Sequence, residues 1–239
     1  MGGALLRAWI KTGVGRWRVI DPGLTAAPEG AALGPGETAP ELVVLAVKPQ
    51  MWRDVVAGLD VPKGAVVVSV MAGVPISTLA AALPGRRIVR AMPNTPAAIG
   101  QGVTGLFGGD ADAQAMVGPL FEAAGLALWL SAEDEFHALT GVSGSGPAYV
   151  FAFIEALAAA GEASGLSAEV SMALARGTVT GAAALAAADP ADAADLRRRV
   201  TSPGGTTAAG LGALQSGLGP LLRETVAAAA SRSRELAGD

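Results

Sequence analysis

Two short runs in the carboxyl half carry residue types that can hold a small polar ligand: Thr140-Gly141-Val142-Ser143-Gly144-Ser145-Gly146-Pro147-Ala148-Tyr149 and Ser202-Pro203-Gly204-Gly205-Thr206-Thr207. Both crowd glycine and hydroxyls into a region otherwise written in Ala and Leu, where a plain helix avoids them. Glycine admits another object close to the backbone, and hydroxyls beside open amides give directional hydrogen bonds. In the second run Ser202 reads as a helix N-cap and Pro203 as the first helical position. Gly204, Gly205, Thr206 and Thr207 then fill the first turn, whose amides and partial positive charge suit a carboxylate or a phosphate. A well-capped helix is the plainer alternative. A cap alone, however, does not require two glycines that each cost about 1 kcal/mol against Ala.

The elements that must position these runs change character along the chain. Strand candidates are Arg18–Asp21, Leu42–Val47, Ala65–Val70, Arg87–Ala91, Val103–Phe107 and Leu126–Leu130. Between them lie helix candidates Gly3–Lys11, Met51–Leu59, Ile76–Leu83 and Asp112–Ala124. The runs Leu42–Val47 and Val66–Val70, apolar throughout but for Ser69, are what strands covered on both faces look like. This β-α-β-α order predicts an α/β Rossmann-like, doubly wound, mostly parallel sheet over 1–131. From 132 to 239 nearly everything reads as helix: Ala132–Leu139, Pro147–Ser164, Ala168–Ala187, Pro190–Arg199, Thr206–Ser216 and Gly219–Leu236. Gly161, Gly165 and Asp189-Pro190 read as its punctuation.

Ligands of open α/β sheets bind beyond the carboxyl ends of the strands. Three segments leave strands there with unusual composition: Ala46-Val47-Lys48-Pro49-Gln50, Val70-Met71-Ala72-Gly73 and Ala91-Met92-Pro93-Asn94-Thr95-Pro96. Lys48 offers a cation for phosphate or ribose, Ala72 and Gly73 leave room for close approach, and Asn94 offers a side-chain amide. Ordinary turn chemistry would use the same residues. At the start of the chain, Met1-Gly2-Gly3-Ala4-Leu5-Leu6 opens a helix that Gly13 ends, and the next strand closes on Asp21. That is the layout after the first strand of a dinucleotide-binding unit, with Gly2 in the place of the third glycine of a G-x-G-x-x-G turn. A flexible Gly-Gly end is the alternative. Asp21 stands where a carboxylate meets the adenosine ribose and repels a 2′-phosphate, with Arg16 and Arg18 nearby.

Composition narrows the classes. The chain has 239 residues, 51% hydrophobic and only 4% aromatic, so close-packed Ala-rich helices are expected. Seventeen basic against 21 acidic residues give a net charge of −4, which weighs against a nucleic-acid partner. Zero cysteines exclude disulfides and thiolate metal sites, and the single His137 leaves no imidazole cluster, so no metal is expected. No uninterrupted apolar run reaches the roughly 18–20 residues of a membrane span, since Glu155 breaks the most tempting one. No membrane partner is expected, and with no basic-then-apolar leader at Met1 the cytoplasm is the expected compartment.

Thr140–Tyr149 and Val200–Gln215, with Ala46–Gln50 and Arg90–Ala97, resemble the pyrroline-5-carboxylate reductase family, whose members catalyse the last step of proline synthesis. The resemblance runs from Met1 to about Leu236, with all four motifs in family order. It implies a Rossmann domain, a helical domain that interlocks in a homodimer or higher homo-oligomer, and NADPH or NADH as cofactor. Its implied reaction is hydride transfer to the cyclic imine 1-pyrroline-5-carboxylate, giving L-proline. By motif, Met1, Gly2, Asp21, Val47, Lys48, Pro49, Ala72, Gly73 and Asn94 would touch the dinucleotide. Ser202, Gly204, Gly205, Thr206, Thr207 and Ser143 would bind substrate, with the Thr207 hydroxyl on the ring nitrogen as the catalytic contact. Ser143-Gly144-Ser145-Gly146 would let two helices approach closely. Family members begin with a strand and glycine-rich turn ahead of the position of Met1, so a longer cellular chain is expected. Related hydroxyacid dehydrogenases use a Lys base in the helical half; Glu133–Asp239 contains no lysine. A non-catalytic dimerising paralogue is the other reading.

Overall fold

The computed structural model describes residues Met1–Gly238. Strand alternation builds its core. β1 (Trp17–Val19) and β2 (Ala31–Leu33) form one parallel pair. β3 (Leu42–Leu45), β4 (Val66–Ser69), β5 (Arg87–Pro93), β6 (Gly102–Gly108) and β7 (Gly125–Trp129) form a second sheet in that order. β3, β4 and β5 are parallel, β6 runs antiparallel to β5, and β7 is parallel to β6. The reversal has a simple cause: only a short 3-10 turn, Thr95–Ile99, joins β5 to β6, and a parallel crossover needs a longer connection.

Within β4, Val66 and Val68 pack with Leu5, Trp9, Val89 and Phe121, while Val67 packs with Trp52, Leu79 and Ile88 on the opposite face. All three valines have no exposed surface, which explains the unbroken apolar run. α1 (Gly2–Thr12) and α4 (Ala111–Glu122) supply the first cluster; α2 (Trp52–Ala57) and α3 (Ile76–Ala82) supply the second. α1 buries Leu5, Leu6, Ala8 and Trp9 on one stripe and stops at Gly13 in the left-handed region, φ +71°. Trp9 donates to the Leu120 carbonyl at 2.6 Å and stacks on Trp17 with ring centroids 4.4 Å apart.

β2 is absent from the sequence expectations because Ala31-Ala32-Leu33 has no β-branched residue to mark it. The single expected sheet is therefore two sheets among the described residues.

The helices that follow are α5 (Glu135–Leu139), a π turn at Thr140–Gly144, α6 (Gly146–Ala163), α7 (Ala168–Ala188), α8 (Ala193–Arg199) and α9 (Thr206–Ala237). The chain packs as two compact units, Met1–Ser145 with the stretch from Ala227 onward, and Gly146–Val226. The composition change near residue 131 precedes this break in packing, because α5 and the π turn pack with the strands. Within the second unit α6 lies against α7, and a Cβ on Gly161 would stand 2.9 Å from the Ser171 hydroxyl. Gly161 thus permits close packing inside α6 rather than ending it. α9 is one helix where two were expected, since Pro220 forfeits a single backbone donor and its fixed φ is itself helical.

Two stretches, Glu135–Ala163 and Ala168–Ala188, are long and apolar enough to cross a membrane by length and composition alone, with mean hydropathies of 1.2 and 1.3. Their exposed side chains include Val150, Phe151, Phe153, Leu157, Val170 and Leu174.

Candidate functional site

Because β3, β4 and β5 are adjacent and parallel, the segments leaving them meet along one rim of the sheet. Val47, Lys48 and Pro49, then Ala72 and Gly73, then Asn94 lie there in strand order. The Met51 amide donates to the Lys48 carbonyl at 2.9 Å, closing a turn with Pro49 in the second position, where its fixed φ belongs. Lys48 is exposed, and Gly73 takes φ +69°, a left-handed conformation that favours glycine. A Cβ on Gly73 would stand 3.2 Å from the Leu236 carbonyl oxygen, so the end of α9 closes on this turn. A cleft of about 400 Å³ opens between the rim segments, lined among others by Pro49, Gln50, Trp52, Gly73, Thr78 and Ala237.

α1 enters the same rim. A Cβ on Gly2 would lie 2.8 Å from that of Ala46, just past β3, so only glycine fits this helix–strand approach. Such contact is what the third glycine of a dinucleotide turn provides. Met1 is the N-cap, its carbonyl accepting from the Ala4 and Leu5 amides at 2.9 and 3.2 Å. The Gly2 and Gly3 amides precede the helical ladder and have no acceptor within it. Asp21 follows β1 and is exposed; its Oδ1 accepts from the Gly23 amide at 2.8 Å. Arg18 donates from Nε to Gly34 and from Nη2 to Leu33, at the carboxyl end of β2. Arg16 precedes β1, at its amino end. Glycines where a Cβ would intrude, open helix-start amides and a carboxylate past β1 together fit a nicotinamide dinucleotide.

Asn94 is buried, and its side chain is already engaged twice. Its Oδ1 accepts from the Val103 amide at 2.8 Å, and its Nδ2 donates to the Ser143 carbonyl at 2.9 Å. The Ser143 end of that bond belongs to the π turn, closed by the Ser145 amide on the Thr140 carbonyl at 2.8 Å. The Thr140 and Ser143 hydroxyls bond back to the Phe136 and Leu139 carbonyls. Widened turns of this type often sit at functional sites. Gly144 and Gly146 do not bring two helices together within the chain: a Cβ on Gly144 would meet only Thr140, and one on Gly146 would meet nothing within 4 Å.

The Ser202–Thr207 run departs from its sequence reading in one respect. The helix begins at Thr206, and Gly205 is its N-cap, because the Gly205 carbonyl accepts from the Ala209 amide at 3.2 Å. Ser202 opens a β-turn closed by the Gly205 amide on the Ser202 carbonyl at 3.1 Å. Pro203 and Gly204, at φ +71°, hold its second and third places, as in a type II turn. Proline fixes the approach and only glycine takes the left-handed step, so the helix waits until Thr206. The amides of Thr206, Thr207 and Ala208 are left at the helix start. Ser202, Gly204, Thr206 and Thr207 are exposed.

The structure thus gathers Gly2, Val47, Lys48, Pro49, Ala72, Gly73 and Asn94 at one rim with Ser143 beside Asn94, and it builds Ser202–Thr207 separately in the helical unit. Sequence reasoning missed Arg90 and Glu133. Arg90 is buried mid-strand, with Nη1 2.9 Å from Glu133 Oε1 and its guanidinium 4.5 Å from the Phe136 ring centre. A charge inside Arg87-Ile88-Val89-Arg90-Ala91, where a covered strand should be apolar, is the signal that could have found it.

A dinucleotide rim on parallel strands, followed in the chain by helices that present an open, hydroxyl-lined helix start, defines a two-domain nicotinamide-dependent oxidoreductase. The family model described as pyrroline-5-carboxylate reductase dimerisation matches residues 133–236, and the one described as NADP oxidoreductase coenzyme F420-dependent matches 1–73. The pyrroline-5-carboxylate reductase of Pseudomonas aeruginosa is 44% identical over 207 residues, covering 82% of this chain and 75% of that one. That of Methanosarcina acetivorans is 34% identical, covering 99% and 94%. Among solved structures, a pyrroline-5-carboxylate reductase from Coxiella burnetii superposes with a TM-score of 0.89 at 34% identity, covering 98% of this chain and 94% of that one. The Plasmodium falciparum pyrroline carboxylate reductase with NADP bound gives 0.82 at 25% identity, covering 99% and 94%. The chain belongs to the pyrroline-5-carboxylate reductase family.

Proposed function

We propose that this chain reduces 1-pyrroline-5-carboxylate to L-proline with NADH or NADPH as a homo-oligomer, at least a dimer, joined through its helical half. The observation that carries the reading is the solvent-open Ser202–Thr207 turn, with three helix-start amides and three hydroxyls, in a chain 44% identical to a named reductase of this imine. Residues 1–131 take the dinucleotide role and 132–239 the dimerisation and substrate roles, in keeping with the two family models matched.

The bound nicotinamide supplies the hydride that adds to the imine carbon. Met1, Gly2, Val47, Lys48, Pro49, Ala72, Gly73 and Asn94 hold the dinucleotide along the rim. The amides after Gly205 hold the substrate carboxylate, and Thr207 places its hydroxyl on the ring nitrogen. Neither hydroxyl-rich run contains a carboxylate, a Lys or a His, so orientation does most of the work. Well-placed reactants supply about 7–11 kcal/mol of a barrier. For the cofactor we favour NADH. Asp21 leaves its carboxylate exposed past β1, where it would meet the adenosine ribose and repel a 2′-phosphate.

The test is turnover of the imine with each cofactor, following proline by chromatography and the nicotinamide by absorbance. Proline formed in step with oxidised nicotinamide, faster with NADH, supports the reading. Tight cofactor binding without proline would leave the chain a dimerising, non-catalytic relative.

A further inference from the structure

Arg90 is an odd residue for the middle of a covered strand. Its Nη1 reaches Glu133 Oε1 at 2.9 Å, and the same oxygen accepts from the Ile76 amide at the start of α3, also at 2.9 Å. The guanidinium lies over the Phe136 ring, and its Nε has no partner among the described residues. A buried pair with a donor left over is a poor stabiliser, since apolar side chains of similar volume do as well or better. Its geometry is more informative than its energy.

Arg90 and Asn94 are four positions apart, so they stand on one face, about 13 Å apart along an extended chain. Both reach the segment between β7 and α6: Arg90 to Glu133 and Phe136, Asn94 to the Ser143 carbonyl. From Glu133 to Ser143 the chain passes through a turn, α5 and most of the π turn, ten steps that would span roughly 15 Å at the rise of an α-helix. That is comparable to the separation of the two positions on β5. One side chain pins each end of this segment along β5, and the second pin, at the Ser143 carbonyl, lies inside the π turn just before α6.

We propose that Arg90 and Glu133 are positioning residues that fix the register of Glu133–Ser145 along β5 and so place the Thr140–Ser145 turn, with Ser143, beside Asn94. This rests on the substrate role proposed for Ser143. The dinucleotide rim takes most of its shape from Gly2, Gly73 and the β3 turn, so losing the pair falls mainly on the imine side, through Ser143, and far less on the cofactor side, which the brace touches only through Asn94 and the Ile76 amide.

The experiment compares E133Q, E133A and R90M with the wild type in the full chain. Glutamine keeps an oxygen that can accept from both Arg90 and Ile76, so E133Q retains most of the wild-type behaviour. E133A and R90M raise KM for the imine tenfold or more, while the NADH Kd, read from protein fluorescence, stays within twofold. Hydrogen exchange, which needs no activity, shows the Thr140–Ser145 amides losing protection in both. The E133A/R90M double variant loses no more than the worse single one. A lowered melting temperature with unchanged KM and unchanged exchange in that turn overturns the proposal, as does an equal loss of NADH affinity. A wild type that makes no proline would sink the reading of Ser143, yet the exchange data would still decide the brace.

Discussion

Gly205→Ala tests the substrate turn at the point where the geometry is tightest. The added Cβ would overlap the Ser202 hydroxyl and stand 3.2 Å from the Ser202 carbonyl oxygen. The hydroxyl must leave its place, and the carbonyl, held by the Gly205 amide at 3.1 Å, must give by a few tenths of an ångström, which loosens the turn. Overpacking of this kind costs about 1–3 kcal/mol, and Ala ranks well below Gly as an N-cap. Loosening the turn also re-aims the amides of Thr206 and Thr207. Losing one hydrogen bond to a charged ligand group costs about 1.5–3 kcal/mol, or roughly tenfold to a hundredfold in kcat/KM. Ser202→Ala removes the hydroxyl, so the double variant should recover about 1 kcal/mol of the stability lost. Urea unfolding of the wild type, both single variants and the double variant gives this coupling; kcat/KM for the imine gives the rest. Stabilities that add within about 0.3–0.5 kcal/mol, together with an unchanged kcat/KM, would refute the geometry argued for the turn.

Other perturbations separate the remaining roles. Thr207→Ala should slow turnover with the melting temperature unmoved, because the side chain is exposed and makes no intrachain bond that packing depends on; wild-type kinetics would remove it from the reaction. Asn94→Ala should destabilise by about 1–3 kcal/mol for each buried group left unpaired, here the Val103 amide and the Ser143 carbonyl. Asn94→Asp should recover only the Val103 half, which unfolding of the two variants side by side would show. Gly2→Val should weaken dinucleotide binding about tenfold, some 1.4 kcal/mol, through its clash with Ala46, and Ala46→Gly should restore part of it; an unchanged fluorescence titration would count against α1 as the rim's helix. Asp21→Ser should shift the ratio of kcat/KM values toward NADPH, and a constant ratio would mean the choice is made elsewhere.

Much of this was legible in the chain, for identifiable reasons. Val66-Val67-Val68 is buried on both faces, so its apolar run announced a central strand, and Gly13 past an amphipathic stripe announced the end of α1. The three rim segments followed from strand order alone. What the chain concealed depended on tertiary partners. Ala31-Ala32-Leu33 becomes a strand only because β1 is there to pair with it. Gly217, Gly219 and Pro220 read as a break, yet α9 runs through them. At Ser202-Pro203 two local rules competed, a capping serine before proline and a proline-glycine turn, and the left-handed Gly204 decided for the turn. The Arg90–Glu133 brace joins residues 43 apart, beyond any local pattern.

The reversal between β5 and β6 divides the sheet's two edges by purpose. The dinucleotide role proposed for the rim lies at the end where β3, β4 and β5 finish, whereas β6 finishes at the other, where Val89 pairs with Gly108. α4 therefore sets out from that far edge, with Asp112 exposed in its first turn. Since the chain has no thiol of its own, an Asp112→Cys variant would give a unique attachment point for a dye or a surface tether, remote from the cofactor.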